Sequence, residues 1–159
     1  MEPLLQLLKQ NAHAPHSELA RELGCTEGEV AARIAALESE GVIVGYQPVI
    51  DRDKLGKELV TAVIEVKITP ERGGGFDRLA QRIAKFEQVQ SCYLMSGGYD
   101  LLVVVEGATL QEVAGFVSEK LSTIPGVIST GTHFRLKAYK ENGALLHRDA
   151  APERLAVAP

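Results

Sequence analysis

The apolar residues of this chain change their spacing between residues 41 and 59, and no other feature constrains the fold as much. Before that point they recur every three or four positions, the period of helices with one buried face. Leu4, Leu5, Leu7 and Leu8 mark a helix over residues 3–10. Leu19, Ala20 and Leu23 mark a second from about residue 16 to 23, with Gly24 placed to end it in the left-handed conformation. Thr26 with Glu29 predicts a capping box that opens a third helix. Along it Val30, Ile34 and Leu37 share a stripe, and Gly41 closes it. Residues 42–46 (VIVGY) read as a strand, and 47–56 (QPVIDRDKLG) carry the Pro, Asp and Gly punctuation of a linker.

From residue 59 the period is two. Val60, Ala62, Ile64, Val66 and Ile68 alternate on a strand over 59–69, and a triple-glycine loop follows. That loop lacks the glycine spacing and Lys-Ser/Thr ending of a phosphate cradle. Phe76, Leu79, Ala80, Ile83 and Ala84 predict a helix face. Residues 89–95 and 101–106 predict a hairpin through Ser96, Gly97, Gly98, Tyr99 and Asp100. Thr109 and Glu112 cap a second helix whose expected core face is Leu110, Val113, Ala114, Val117, Leu121 and Ile124, stopped by Pro125 and Gly126. A last strand is expected over 127–140, with Asn142 and Gly143 turning the chain back into 144–146.

This βαββαβ order is that of a ferredoxin-like sandwich, in which both helices cover one sheet face. Yet Leu101, Leu102, Val103, Val104 and Val105 are apolar at every position, which predicts burial on both faces. A second copy of the domain is the expected cover, so these five residues are the expected oligomer interface.

In the first half, Ala20, Gly24 and Val30 stand at i, i+4 and i+10. That places a small residue where two helices cross, a glycine in the turn and a branched residue in the core, as a helix-turn-helix needs. An ordinary three-helix cluster fits the same spacing. Taken together, residues 18–24 (ELARELG), 30–41 (VAARIAALESEG) and 42–46 resemble the helix-turn-helix of the Lrp/AsnC regulators. Residues 96–100 (SGGYD) and 116–140 (FVSEKLSTIPGVISTGTHFRLKAYK) resemble that family's amino-acid-sensing domain. The resemblance runs to about residue 146. It implies an α+β chain: a winged-type helix-turn-helix over 1–50, a linker over 51–58, a ferredoxin-like effector-binding and oligomerisation domain over 59–146, and a tail over 147–159. It implies a non-enzymatic transcription regulator that binds double-stranded promoter DNA, forms homodimers or larger homo-oligomers, and answers to a small molecule, commonly an amino acid. The family usually carries Arg where this chain has Ala32 and Ala36, and Ser where it has Gly28.

Thr26, Gly28 and Arg33 lie off the apolar stripe and are the expected DNA contacts, set against an ordinary solvated helix face. Gly97, Gly98, Tyr99 and Asp100 are the expected effector turn, with Asp100 offered to a ligand ammonium and Thr130 and Thr132 offering hydroxyls. The competing reading is a plain β-turn in which Asp100 serves local amides. His133 is expected to face solvent or an interface rather than act as a ligand or base.

Composition sets the limits. The net charge is −4, and residues 1–52 hold four basic side chains against eight acidic ones, an unfavourable balance for a DNA-binding part. Cys25 and Cys92 suit a reducing, cytoplasmic compartment and predict neither a disulfide framework nor a metal site, although one disulfide stays open. No apolar run reaches the length of a membrane span, and no cofactor or catalytic cluster emerges from spacing. Two rivals remain. One is a siroheme decarboxylase, which shares the two-domain plan but needs polar and basic residues for a tetrapyrrole. The other is a sensing protein whose helix-turn-helix no longer binds DNA.

Overall fold

The computed structural model describes residues 2–56, 59–70 and 72–146, and the chain divides into two compact units, Met1–Pro48 and Val49–Pro159. The first unit holds α1 (Pro3–Gln10), α2 (His16–Leu23) and α3 (Glu27–Ser39). Leu4, Leu8, Leu19, Ala20, Val30 and Leu37 form its buried core, one stripe from each helix as the period of 3.6 requires. Gly24 takes φ +68 at the end of α2. A side chain there would meet nothing within 4 Å, so it is backbone conformation that favours glycine.

The segment 42–46 departs from expectation, because it forms no strand. The amides of Val42 and Ile43 both bond back to the Leu37 carbonyl at the end of α3. Val44 is 94% exposed. A strand needs a neighbour to complete its ladder, and among the described residues this unit contains none. The wing of a winged helix-turn-helix is therefore not built from this segment within the single chain.

The second unit begins with a 3-10 turn at Arg52–Leu55. It continues as β1 (Val60–Ile68), α4 (Asp77–Ala84), β2 (Val89–Leu94), β3 (Leu101–Gly107), α5 (Leu110–Gly115, running into a π turn at Phe116–Leu121) and β4 (Val127–Phe134). The strand order β2-β3-β1-β4, with β1 antiparallel to both β3 and β4, is the ferredoxin-like arrangement expected. Both helices lie on one face. Ala62, Ile64, Val66 and Ile68 from β1, Leu101, Val103 and Val105 from β3, and Leu79, Ile83, Val113 and Leu121 from the helices pack together beneath them.

Three details differ from the pattern. Ala84, Leu110 and Ala114 are exposed rather than buried. In α5, Leu110 stands at the first helical position and Ala114 on the outer flank of buried Val113; beyond them a π turn sets in, where Ser122 N–H donates to the Val117 carbonyl five residues back, at 2.8 Å. The extra residue re-aims the helix, so Phe116 and Val117 are both buried at its centre. The last strand stops at Phe134, because its partner β1 has reached its own beginning: Phe134 pairs with Ala62, and Arg135 N–H makes the closing bond to the Thr61 carbonyl. Beyond it β5 (Lys140–Glu141) and β6 (Ala144–Leu145) form the expected small hairpin, with positive φ at Asn142 and Gly143.

Candidate nucleic-acid interface and effector turn

The turn between α2 and α3 is built by local bonds. Thr26 Oγ1 accepts the Glu29 N–H at 3.2 Å, while Glu29 Oε2 accepts from both the Thr26 amide and the Thr26 hydroxyl at 2.8 Å. The Thr26 backbone bond, followed by the hydroxyl bond, holds the Glu29 carboxyl below its ordinary value. The Thr26 hydroxyl thus has its proton and a lone pair engaged within the cap.

Along α3 the buried side chains are Val30 and Leu37, and the exposed face opposite carries Gly28, Ala32, Ala35 and Ser39. That face is small and uncharged. Arg33, the single cation of α3, points elsewhere, about 130° around the helix from the middle of that face. Its Nε and Nη2 donate to the two carboxylate oxygens of Glu2 at 2.7 and 3.1 Å. This pair lowers the Glu2 pKa and raises that of Arg33, hydrogen bonding being the larger cause in both. The structure therefore gathers Thr26 and Gly28 at the start of α3 and directs Arg33 to α1. Nothing in local spacing announces Glu2, since 31 residues separate it from Arg33.

In the second unit, the hairpin expected at 96–100 is present, with Gly97 at φ +127. Asp100 is fastened to β1: its amide donates to the Val66 carbonyl at 3.0 Å, and its Oδ2 accepts from the Ile68 amide at 2.8 Å. One carboxylate oxygen thus continues the ladder past the end of β3. Thr130 and Thr132 pair with Val66 and Ile64 across β1, on the helix-covered face. The Thr130 hydroxyl lies 3.3 Å from that of Ser122 at the end of the π turn. Asp100 and Thr130 thus attach to the same stretch of β1 from opposite sides, two strand spacings or roughly 10 Å apart.

The bare sheet face is composed as the β3 pattern implies. Leu101, Val103 and Val105 are fully buried inward, while Leu102 and Val104 point outward and are half-buried in the single chain. Around them stand Val63, Tyr93 and a Glu65–His133 contact at 3.6 Å. His133 is exposed there, where the sequence placed it. One end of the face is closed by two ion pairs, Arg52–Glu106 at 2.6 Å and Arg135–Glu141 at 3.1 Å. Arg135 also donates to the hydroxyl of buried Thr61 at 3.0 Å. The Arg52–Glu106 pair and the Arg135–Thr61 bond join residues far apart in the chain, and none of these contacts was anticipated. Cys25 and Cys92 are free thiols, and burial raises the pKa of Cys92. No helix among the described residues is long and apolar enough to cross a membrane.

Comparison with known proteins agrees with this geometry. Residues 3–38 match the AsnC-type helix-turn-helix domain, and residues 61–145 match the Lrp/AsnC ligand binding domain. The chain is 46% identical over 157 residues to an uncharacterized HTH-type transcriptional regulator, YugG, of Bacillus subtilis (strain 168), covering 98% of this chain and 95% of that protein. It is 33% identical to the proline dehydrogenase transcriptional activator of Rhodobacter capsulatus, covering 89% and 91% of the two chains. Among solved structures it is similar to the leucine response regulatory protein of Mycobacterium tuberculosis, with a TM-score of 0.70, 25% identity and coverage of 87% and 92%. It shares its fold with a transcriptional regulator from Neisseria meningitidis solved in complex with L-Met, with a TM-score of 0.68, 24% identity and coverage of 87% and 88%. The chain belongs to the Lrp/AsnC family of transcriptional regulators, non-enzymatic proteins that join a DNA-binding helix-turn-helix to a ligand-binding domain.

Proposed function

We propose that this regulator works as a homodimer or larger homo-oligomer, meets promoter DNA through α3, and takes an amino acid as its effector. In this reading residues 1–50 bind DNA, 51–58 link, and 59–146 sense and assemble. The observation that carries it is the sheet face of the second unit, where Leu102 and Val104 lie half-buried on the side away from both helices among the described residues. A half-covered apolar patch on a sheet is completed by association. Residues 101–105 are the proposed interface.

The amino-acid effector is supported by the L-Met complex of the same fold and by the leucine response regulator among the similar structures. The proposed site is the turn at Gly97, Gly98, Tyr99 and Asp100, with Thr130 and Thr132 contributing hydroxyls. Asp100 has one oxygen engaged by Ile68, and its charge and second oxygen are available to an ammonium group.

A thermal-shift screen of the amino acids tests this reading, because a ligand at a hundred times its Kd stabilises by about 2.7 kcal/mol. Asp100→Asn then separates the roles of the carboxylate. The amide oxygen can still accept from the Ile68 amide, so stability should hold, while loss of the charge should weaken the identified effector about tenfold. Asp100→Ala should in addition lose roughly 1 kcal/mol of stability with the ladder bond. Unchanged effector affinity in Asp100→Asn would leave this residue a purely structural one.

DNA is met, in this proposal, by the exposed start of α3 at Thr26 and Gly28. Arg33, the third expected contact, is turned to Glu2 and serves this surface through that pair. Fluorescence anisotropy with a duplex from the region upstream of its own gene tests the reading. Absence of binding at low salt, with and without amino acids, would return the chain to the sensing-only rival.

A further inference from the structure

Glu2 stands at the entry to α1 and Arg33 in the middle of α3, and the two meet as fork and carboxylate with both donor–acceptor pairs made. Their contact spans a recess of about 320 Å³ lined by Leu4, Leu23, Cys25 and Val30, where α1, the α2–α3 turn and α3 come together. We propose that this pair is a brace: Glu2 and Arg33 fix the orientation of α3 against α1 and so set DNA affinity without touching DNA. The inference rests on α3 being the reading helix.

Two observations favour it over direct contact. The phase of α3 turns Arg33 away from the exposed face that Gly28, Ala32, Ala35 and Ser39 occupy. The Nε–Nη2 edge of Arg33 already grips a carboxylate, so a phosphate must displace Glu2 or settle for the Nη1 end. Val30 and Leu37 anchor α3 in the core, but its flanks carry only the small, half-buried Ala31 and Ala36, so packing resists a roll of the helix least at its edges. A bidentate pair at the edge opposes that roll, because its geometry tolerates little rotation.

The test uses the full chain as Glu2→Gln, Arg33→Gln and the double swap Glu2→Arg with Arg33→Glu, which keeps the net charge. Affinity for the upstream duplex is measured at several salt concentrations. The rate at which a thiol reagent labels the half-buried Cys25 is read by mass on its peptide. Each single variant should lower affinity about two- to fivefold with an unchanged salt slope, and Cys25 should react faster. The swap should restore both. A slope flattened by about 0.9 per subunit in Arg33→Gln, with the swap weaker than either single variant, would assign Arg33 to a phosphate and overturn the brace. Where Arg33→Gln does not fold, Arg33→Lys replaces it, keeping the charge but losing the fork. Failure of the unmodified chain to bind DNA would sink the proposed function. The brace is then decided by Cys25: unchanged labelling in the single variants overturns it, and faster labelling reversed by the swap supports it.

Discussion

Val104→Asp should yield a folded monomer, whereas the same replacement one residue earlier, at Val103, should leave no folded second domain. The two valines are neighbours on β3 and differ only in the face they serve. Val103 is fully buried among Ile64, Leu79 and Ile83. An unpaired carboxylate there costs several kcal/mol, a large share of what holds a domain of this size together. Val104 points to the bare face and is half-buried. A carboxylate at that position stays hydrated in the single chain and is stripped of water only when another copy covers it. The penalty then falls on association. Light scattering combined with circular dichroism reads both effects, the mass against 17.1 kDa for one chain and the retained strand signal. A Val104→Asp protein that remains dimeric would remove residues 101–105 from the interface.

Ala32→Arg should strengthen binding to every duplex and steepen its salt dependence. The first 52 residues carry twice as many acidic as basic side chains, and the face of α3 opposite Val30 and Leu37 carries no cation. Few phosphates are neutralised per subunit, so a dimer should show a slope of log affinity against log salt on the order of −2 to −4. One added phosphate contact per subunit steepens it by about 0.9 each, or roughly 2 for the dimer. On the proposed function, affinity in the unmodified protein should then come from larger assemblies that engage several sites at once, through effective concentration. A slope near −8 from an unmodified dimer would contradict this account, and so would an Ala32→Arg protein with the slope unaltered.

What the sequence disclosed divides by the distance over which each signal acts. The Thr26–Glu29 box, the Gly24 turn, the alternation on β1 and the Asn142–Gly143 turn are decided by residues within a few positions of one another. Each appears in the structure as read. Residues 42–46 carry a strand-like composition, but a strand also requires a neighbour, and composition does not supply one. The burial of Phe116 beside Val117 follows from one residue gained in the π turn, which a period of 3.6 cannot register. The turn that holds Gly97 and Asp100 was legible because turns are local. The Ile68 bond to Asp100 and the Glu2–Arg33 pair were not, because each is made by chain segments that only the fold brings together.

The π turn at Phe116–Leu121 also bears on how this domain tolerates change. Its wide ring accommodates one residue more than a regular helix needs to carry the inward side chains from Val113 to Leu121. Removing one residue between them lets the segment relax to ordinary pitch with Val113 and Leu121 still inward. The loss of a single residue here is therefore absorbed within the helix, leaving the Thr109 cap and the Pro125–Gly126 stop in place. Relatives whose chains are one residue shorter in this segment are expected to keep the same sheet and the same two loops.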